Sequence, residues 1–323
     1  MKKILSFALR IGISIFLMVF LFRRMDKTSL LEIIKTVNMP LLCLGFVVFF
    51  ANYLLCFIRW QMLLEAADIN LSLSRIVMSY SGSVFFGLFL PSSIGGDMVR
   101  SIDLAVHTKK PHEVIATVFL DRLSGYVGLV ILTLIALVFG WKLLADRTVL
   151  FSVAVISAVL IAVLLVLFNK SLYSLINRFL GTSSSNRIKE SIRALQHQIY
   201  LFKGRKRVIV YNLLMSFVIQ MISPVCLYFV ALSLGININI MYFFVFLPII
   251  SAITLLPVSI GGLGLRETAT IFFFAKVGVS KDLAFAMSLL SFSFLAIYGA
   301  LGGLIYVLAI HHRRLQPDKS PAV

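Results

Sequence analysis

The chain has 323 residues, of which 60% are apolar and only 13% are charged, with a mean hydropathy of +1.01. Soluble domains carry about 25% charged residues, so this composition excludes an ordinary soluble enzyme, a disordered chain and a nucleic-acid-binding domain. It describes a polytopic membrane protein. The net charge of +17 would suggest a nucleic-acid partner in a soluble protein. Here it reads as cytoplasmic loops that collect Lys and Arg and face anionic lipid heads.

Six segments are long and apolar enough to span: roughly 4–22, 40–64, 114–139, 149–168, 208–234 and 284–310. The first follows Met-Lys-Lys and is not followed by a small-residue cleavage site, so it reads as a retained helix rather than a signal peptide. Two further apolar stretches are interrupted. Residues 76–106 are broken by Pro91-Ser92-Ser93-Ile94-Gly95-Gly96-Asp97, and residues 241–278 by Pro257-Val258-Ser259-Ile260-Gly261-Gly262. The polar stretch 169–207 carries nine basic residues against Glu190 alone. That bias makes it cytoplasmic and predicts both termini on the cytoplasmic side. The loop 23–39 runs against this topology, because it would be external yet holds Arg23, Arg24, Lys27 and Lys35. Within 172–202, apolar residues at 3–4 spacing predict amphipathic helix lying on the cytoplasmic membrane face.

The two interruptions are copies of one motif. Residues 89–100, FLPSSIGGDMVR, and 255–266, LLPVSIGGLGLR, agree at seven of twelve positions. Each copy follows one full span and precedes another. The reading is an all-α polytopic membrane protein with about six full spans plus two re-entrant broken-helix hairpins in an inverted repeat. One membrane domain (1–323) then divides into an N-terminal helix and loop (1–39), a first repeat (40–139), a connecting span and basic amphipathic segment (140–207), a second repeat (208–310) and a cytoplasmic tail (311–323). Inverted repeats with matching broken helices mark secondary transporters, whose site lies at the repeat interface.

The residue types suit an anion site. Pro91 and Pro257 stop a helix. The pairs Gly95-Gly96 and Gly261-Gly262, with Gly264, let backbone turn sharply and approach a ligand. Residues 97–100 and 263–266 are expected to open new helices whose positive ends face the break, with Asp97 as an N-cap. Ser92, Ser93 and Ser259 add hydroxyls. Arg100 and Arg266 add charge one turn in, making two facing anion sites. Glu267 is placed to neutralise Arg266. Asp121 and Arg122 lie inside an apolar run and, being adjacent on a helix, are expected to face a cavity and pair with other helices. Arg59-Trp60 suits an interfacial anchor slightly better than a cavity position. Asn52, Gln220, Ser223 and Pro224 suit helix–helix hydrogen bonding or kinks, with cavity lining the alternative. Cys43, Cys56 and Cys226 read as buried hydrophobes, with no disulfide or zinc spacing. No nucleotide-binding, metal-protease or serine-hydrolase motif is present, so no cofactor or metal is expected.

The run from Pro91 to Arg100, Asp121-Arg122 with Gly125, the run from Leu256 to Glu267, and Arg59-Trp60 together resemble the lysylphosphatidylglycerol synthase transmembrane-region family, also called flippase-like or UPF0104 proteins. The resemblance covers nearly the whole chain. It implies a membrane domain that moves lipids between leaflets, joined in some relatives to a soluble aminoacyl-lipid synthase domain; lysyl transfer is not expected of this chain. The expected function is a non-enzymatic flippase or transporter for a lipid with an anionic or polar head group in the cytoplasmic membrane. A membrane-embedded lipid-modifying transferase using Asp97 or Asp121 as base, and an accessory subunit of a separate lipid synthase, are the alternatives. The expected partners are membrane lipids, with no nucleic acid; a second copy of the chain or a lipid synthase are further candidates.

Overall fold

The computed structural model describes residues 2–90, 93–139, 204–254 and 259–315, with a few single positions between 151 and 158. The expected span 149–168 otherwise lies outside the described residues, as do the amphipathic segment 172–202, Pro91, Ser92 and Pro257. The described residues form ten helices and no strand. In chain order these are α1 (Lys2–Arg24), α2 (Lys27–Lys35), α3 (Met39–Glu65), α4 (Leu73–Phe89), α5 (Ser93–Thr108), α6 (Pro111–Phe139), α7 (Lys206–Ser233), α8 (Met241–Thr254), α9 (Leu265–Ala275) and α10 (Lys281–Leu315). Four of them, α3, α6, α7 and α10, are long and apolar enough to cross a membrane. The chain is a polytopic α-helical membrane protein. Large apolar side chains stay exposed along the outer faces, among them Val47 at 60% and Leu214 at 56%, as lipid-facing positions require.

The helices begin and end where local chemistry dictates. Asn38 caps α3 by accepting the Leu41 N–H at 3.2 Å, and Pro40 sits in the first turn, where a missing N–H costs nothing. The backbone N–H of Asn38 also donates to Ser233 O at 2.8 Å, which ties the start of α3 to the end of α7. Asp26 caps α2 through the Thr28 N–H at 3.0 Å.

Cross-helix contacts fix the directions. Arg59 meets Ser216, Asn52 meets Ser223, and Gly45 meets Cys226, so α3 and α7 run antiparallel. Phe46 and Phe49 meet Phe294, while Phe49 and Tyr53 meet Tyr298, so α10 runs parallel to α3. Trp60 meets Thr117 and Arg59 meets Asp121, so α6 runs antiparallel to α3. The matched elements α3 and α7, and likewise α6 and α10, therefore point in opposite directions. The motif-bearing helices pair within each half. Pairing of Arg75 with Asp103 and the approach of Gly96 to Ser83 make α4 and α5 a tight antiparallel hairpin. Contacts of Phe246 with Phe273 and of Phe243 with Phe274 do the same for α8 and α9. At 17 and 14 residues, α4 and α8 fall short of the ~20 residues of a full span.

The two motif copies fold differently, which corrects the symmetric expectation. The first copy is helical from Ser93 onward, so Asp97 lies inside α5 and is not its N-cap. Its glycines serve close packing. A Cβ on Gly96 would sit 2.5 Å from Ser83 O, and one on Gly95 would sit 2.6 Å from the Leu90 side chain. In the second copy Gly261, Gly262 and Gly264 take φ values of +58°, +73° and +82°, a left-handed turn that ends at Leu265. The difference follows from the residues downstream. The first copy continues Asp-Met-Val and can extend as helix, whereas the second continues Leu-Gly-Leu-Arg-Glu. There Gly264 precedes the helix, and Glu267 Oε2 accepts its N–H at 2.6 Å.

Gly96→Ala is expected to destabilise the protein by about 1–3 kcal/mol, because its new methyl meets backbone that cannot rotate away. A thermal unfolding curve in detergent checks this; an unchanged midpoint would show that the α4–α5 approach is looser than described.

Candidate functional site

The site grows from ionisable side chains that the sequence scatters over α3, α5 and α6. Asp121 of α6 is 2% exposed and holds two arginines. Its Oδ1 accepts Arg59 Nε at 2.9 Å and lies 2.7 Å from Arg59 Nη2. Its Oδ2 accepts Arg100 Nη2 at 2.9 Å. Asp97, one turn before Arg100 on α5, takes Arg100 Nε at 3.1 Å on Oδ1 and Arg122 Nε on Oδ2. The result is a continuous chain, Arg59–Asp121–Arg100–Asp97–Arg122, that laces three helices together. Neighbouring Asp121 and Arg122 thus take different partners, Asp121 holding Arg59 and Arg100 while Arg122 holds Asp97, as their angular separation on a helix requires.

Neutral groups complete the cluster. Arg59 Nη1 donates to Ser216 Oγ on α7 at 2.8 Å, and that hydroxyl donates onward to Asn212 O at 2.6 Å. The Arg100 guanidinium lies over two rings, Trp60 at 4.6 Å and Tyr80 at 4.8 Å. Such stacking supports a desolvated guanidinium. Trp60 is fully buried and Arg59 is 6% exposed. This corrects the interfacial-anchor reading of Arg59-Trp60: neither side chain reaches an interface, because Asp121 draws Arg59 inward.

These charges line a cavity of about 430 Å³. Arg59, Arg100, Arg122, Asp97 and Asp121 line it together with Gly96. Ser251 and Thr254 of α8, with Ser259, Gly261 and Gly262 of the second break, line it as well. Both motif copies therefore open onto the same space. Apolar side chains from several helices, including Leu88, Leu129, Ile219 and Leu295, fill the remainder. Gln220 also lines it while donating to Gly125 O at 3.0 Å, so that residue takes both expected roles. Asn52 and Ser223 instead bond across α3 and α7 at 3.3 Å.

With the geometry in place, the known proteins are informative. The family described as the lysylphosphatidylglycerol synthase transmembrane region matches residues 7–303. The chain belongs to that family. A UPF0104 membrane protein of Pyrococcus horikoshii is 26% identical over 99% of this chain and its own full length. Two UPF0104 membrane proteins of Methanothermobacter thermautotrophicus are 25% and 24% identical, over 71% and 76% of this chain and 73% and 77% of their own lengths. Membership places the protein among lipid-related membrane proteins, as the sequence motifs suggested.

Of the expected site residues, the structure of this transmembrane-region protein brings Arg59, Gly96, Asp97, Arg100, Asp121, Arg122, Ser259, Gly261 and Gly262 to the cavity. Gly95 packs on Leu90 instead. The Ser93 side chain, like Pro91, Ser92 and Pro257, is outside what is described. Arg266 departs furthest from expectation. It lies outside the cavity lining, with its Nη2 2.6 Å from Glu267 Oε1 and its guanidinium 4.5 Å from the Phe292 ring. Glu267 is fully buried and is shared between Arg266, the Gly264 N–H and the Ser288 hydroxyl at 3.3 Å. Gly264 backs onto Leu17 of α1. Arg266, Glu267 and Gly264 thus lock the second break from behind and add no charge to the cavity, which corrects the idea of two facing anion sites.

Several lining residues escaped the sequence reading. Tyr53, Tyr80, Ser83, Ser251 and Thr254 line the cavity, and Ser14 of α1 accepts the Ile260 N–H at 2.8 Å. No local motif marks them. The one available signal was the polar alternation Ser79, Ser81, Ser83 within an apolar helix.

Proposed function

We propose that the protein is a lipid transporter that moves a lipid with an anionic or polar head group across the cytoplasmic membrane. The observation that carries this reading is a cavity, lined by four buried charges and the half-buried Arg122, into which both motif copies open. Ionisable residues inside membrane helices are costly unless they pair or face a polar space, and they mark substrate pathways. The residues 40–139 and 208–310 would act as the two repeats, rocking against each other around this cavity.

The proposed sidedness has support from one end of the bundle. The end of α3, the α5–α6 turn and the start of α7 come together there, where Lys110 Nζ donates to Asp68 O and Arg205 pairs with the Asp68 carboxylate. Lys109, Lys206 and Arg207 share that end, which suits the cytoplasmic face. By helical rise, Arg59 and Asp121 would lie about 9–15 Å in from it, within the cytoplasmic half of the spans.

The transferase alternative gains nothing from the geometry. Asp97 and Asp121 each hold two guanidinium groups, so the oxygens a catalytic base would use are already engaged with arginines. The transport reading is tested with purified protein in liposomes carrying lipids fluorescently labelled on an acyl chain, with dithionite reporting the outer leaflet. Translocation faster than in protein-free vesicles is expected. Equal rates would overturn the transporter reading, and a new covalent lipid product by mass spectrometry would favour the transferase.

A further inference from the structure

One tetrapeptide, Ser-Ile-Gly-Gly, takes two conformations in this chain. Residues 93–96 are helical within α5, whereas residues 259–262 form a turn ahead of α9. The first copy is clamped, since Gly96 lies against the Ser83 backbone. It also has Met98 where the second copy has Gly264, and a side chain there disfavours the left-handed turn. The second copy has room. A Cβ on Gly261 would meet Leu88 O at 3.4 Å, and one on Gly262 would meet the Thr254 side chain at 3.2 Å.

The hydrogen bonds of α9 already reach back into the turn. The Arg266 N–H donates to Gly262 O at 2.9 Å and the Thr268 N–H to Gly264 O at 3.0 Å, both with helical spacing. The Leu263 N–H donates to Ile260 O at 3.0 Å, one residue short of the helical acceptor, Ser259 O. The Gly264 N–H is held by Glu267 Oε2. Winding the turn into helix moves the Leu263 N–H to Ser259 O and the Gly264 N–H to Ile260 O. Each donor exchanges one acceptor for another, and glycine backbone accepts either conformation.

We propose that the second break is the moving part of the transport cycle: residues 259–264 wind onto α9 in the alternate state, as residues 93–98 are wound into α5, while the first copy stays fixed. This rests on the transport reading and adds where the motion sits. Gly261 and Gly262 line the cavity, so winding reshapes its lining. It also takes Ile260 off the Ser14 hydroxyl of α1, which accepts the Ile260 N–H in the broken state.

The test uses the full chain with Cys43→Ala, Cys56→Ala and Cys226→Ala, carrying Ser14→Cys and Ile260→Cys. Disulfide formation, counted with a maleimide mass tag, reports the broken state, and translocation of acyl-labelled lipid in liposomes reports transport. The pair is expected to crosslink, to stop translocation when oxidised and to regain it with dithiothreitol. Adding Gly261→Ala favours helix over a φ of +58°, and is expected to slow crosslinking about threefold or more. Gly261→Asn adds the same Cβ but tolerates left-handed backbone, and is expected to stay within about twofold of the glycine protein. No crosslink, undiminished translocation by the crosslinked protein, or equal crosslinking rates in the Ala and Asn variants would each overturn the proposal. No translocation by the reduced parent, with the Ala and Asn variants still different, would overturn the transport reading and leave the helix-to-turn switch standing.

Discussion

Asp121→Asn is expected to lower the stability of the protein by about 3–5 kcal/mol, the usual consequence of removing one partner from a buried ion pair. Asp121 is the single residue that joins Arg59 of α3 to Arg100 of α5, and all three side chains are almost wholly buried. The amide keeps the shape but not the charge. Two guanidinium groups would then share a neutral oxygen, and three positive charges would face Asp97 alone. Within a membrane no water is at hand to absorb that imbalance. Thermal unfolding in detergent reads the effect. The double variant Asp121→Asn with Arg59→Met, which removes one excess charge, is expected to recover part of the loss. If Asp121→Asn unfolds at the parent temperature, the cluster does not hold α3, α5 and α6 together.

The second large effect separates two arginines that the sequence presents as equivalents. Arg100→Gln is expected to reduce lipid translocation about 100-fold, the scale of a lost charge-assisted contact at a buried site. Arg266→Gln is expected to leave translocation within about threefold, because its guanidinium is spent on Glu267 and Phe292. Its effect should appear in stability instead, as Glu267 loses its only charged partner among the described residues. Rates in liposomes, normalised to folded protein by size-exclusion profile, make the comparison. Equal losses for the two variants would restore the symmetric two-site picture and overturn the asymmetric one.

Much of the architecture was legible from the chain. Apolar runs of about 20 residues are forced by the thickness of the bilayer, so the spans starting near residues 40, 114, 208 and 284 reappear as α3, α6, α7 and α10. The repeated Pro-x-Ser-Ile-Gly-Gly marked the hairpins, because proline and paired glycines interrupt a helix by covalent geometry alone. The sequence symmetry between the copies was misleading for a local reason. Ser-Ile-Gly-Gly is compatible with both helix and left-handed turn, and the residues after it choose between them.

The site was only half legible. That Asp97, Arg100, Asp121 and Arg122 matter follows from the cost of burying charge in an apolar run, which any sequence displays. Their partners do not follow from it. Arg59 and Asp121 are 62 residues apart, and Ser216 lies 157 residues beyond Arg59; only the antiparallel packing of α3 against both α6 and α7 brings them together. The same packing buried Arg59-Trp60, which the sequence pattern placed nearer an interface.

Length, composition and charge therefore determined that the chain lives in a membrane, how many residues each crossing needs and where the crossings break, since those depend on bilayer thickness and backbone chemistry. Tertiary structure alone decided which charges meet, which arginine faces the cavity and which is locked behind it. Pairing and burial are properties of neighbouring helices, and no single helix carries that information.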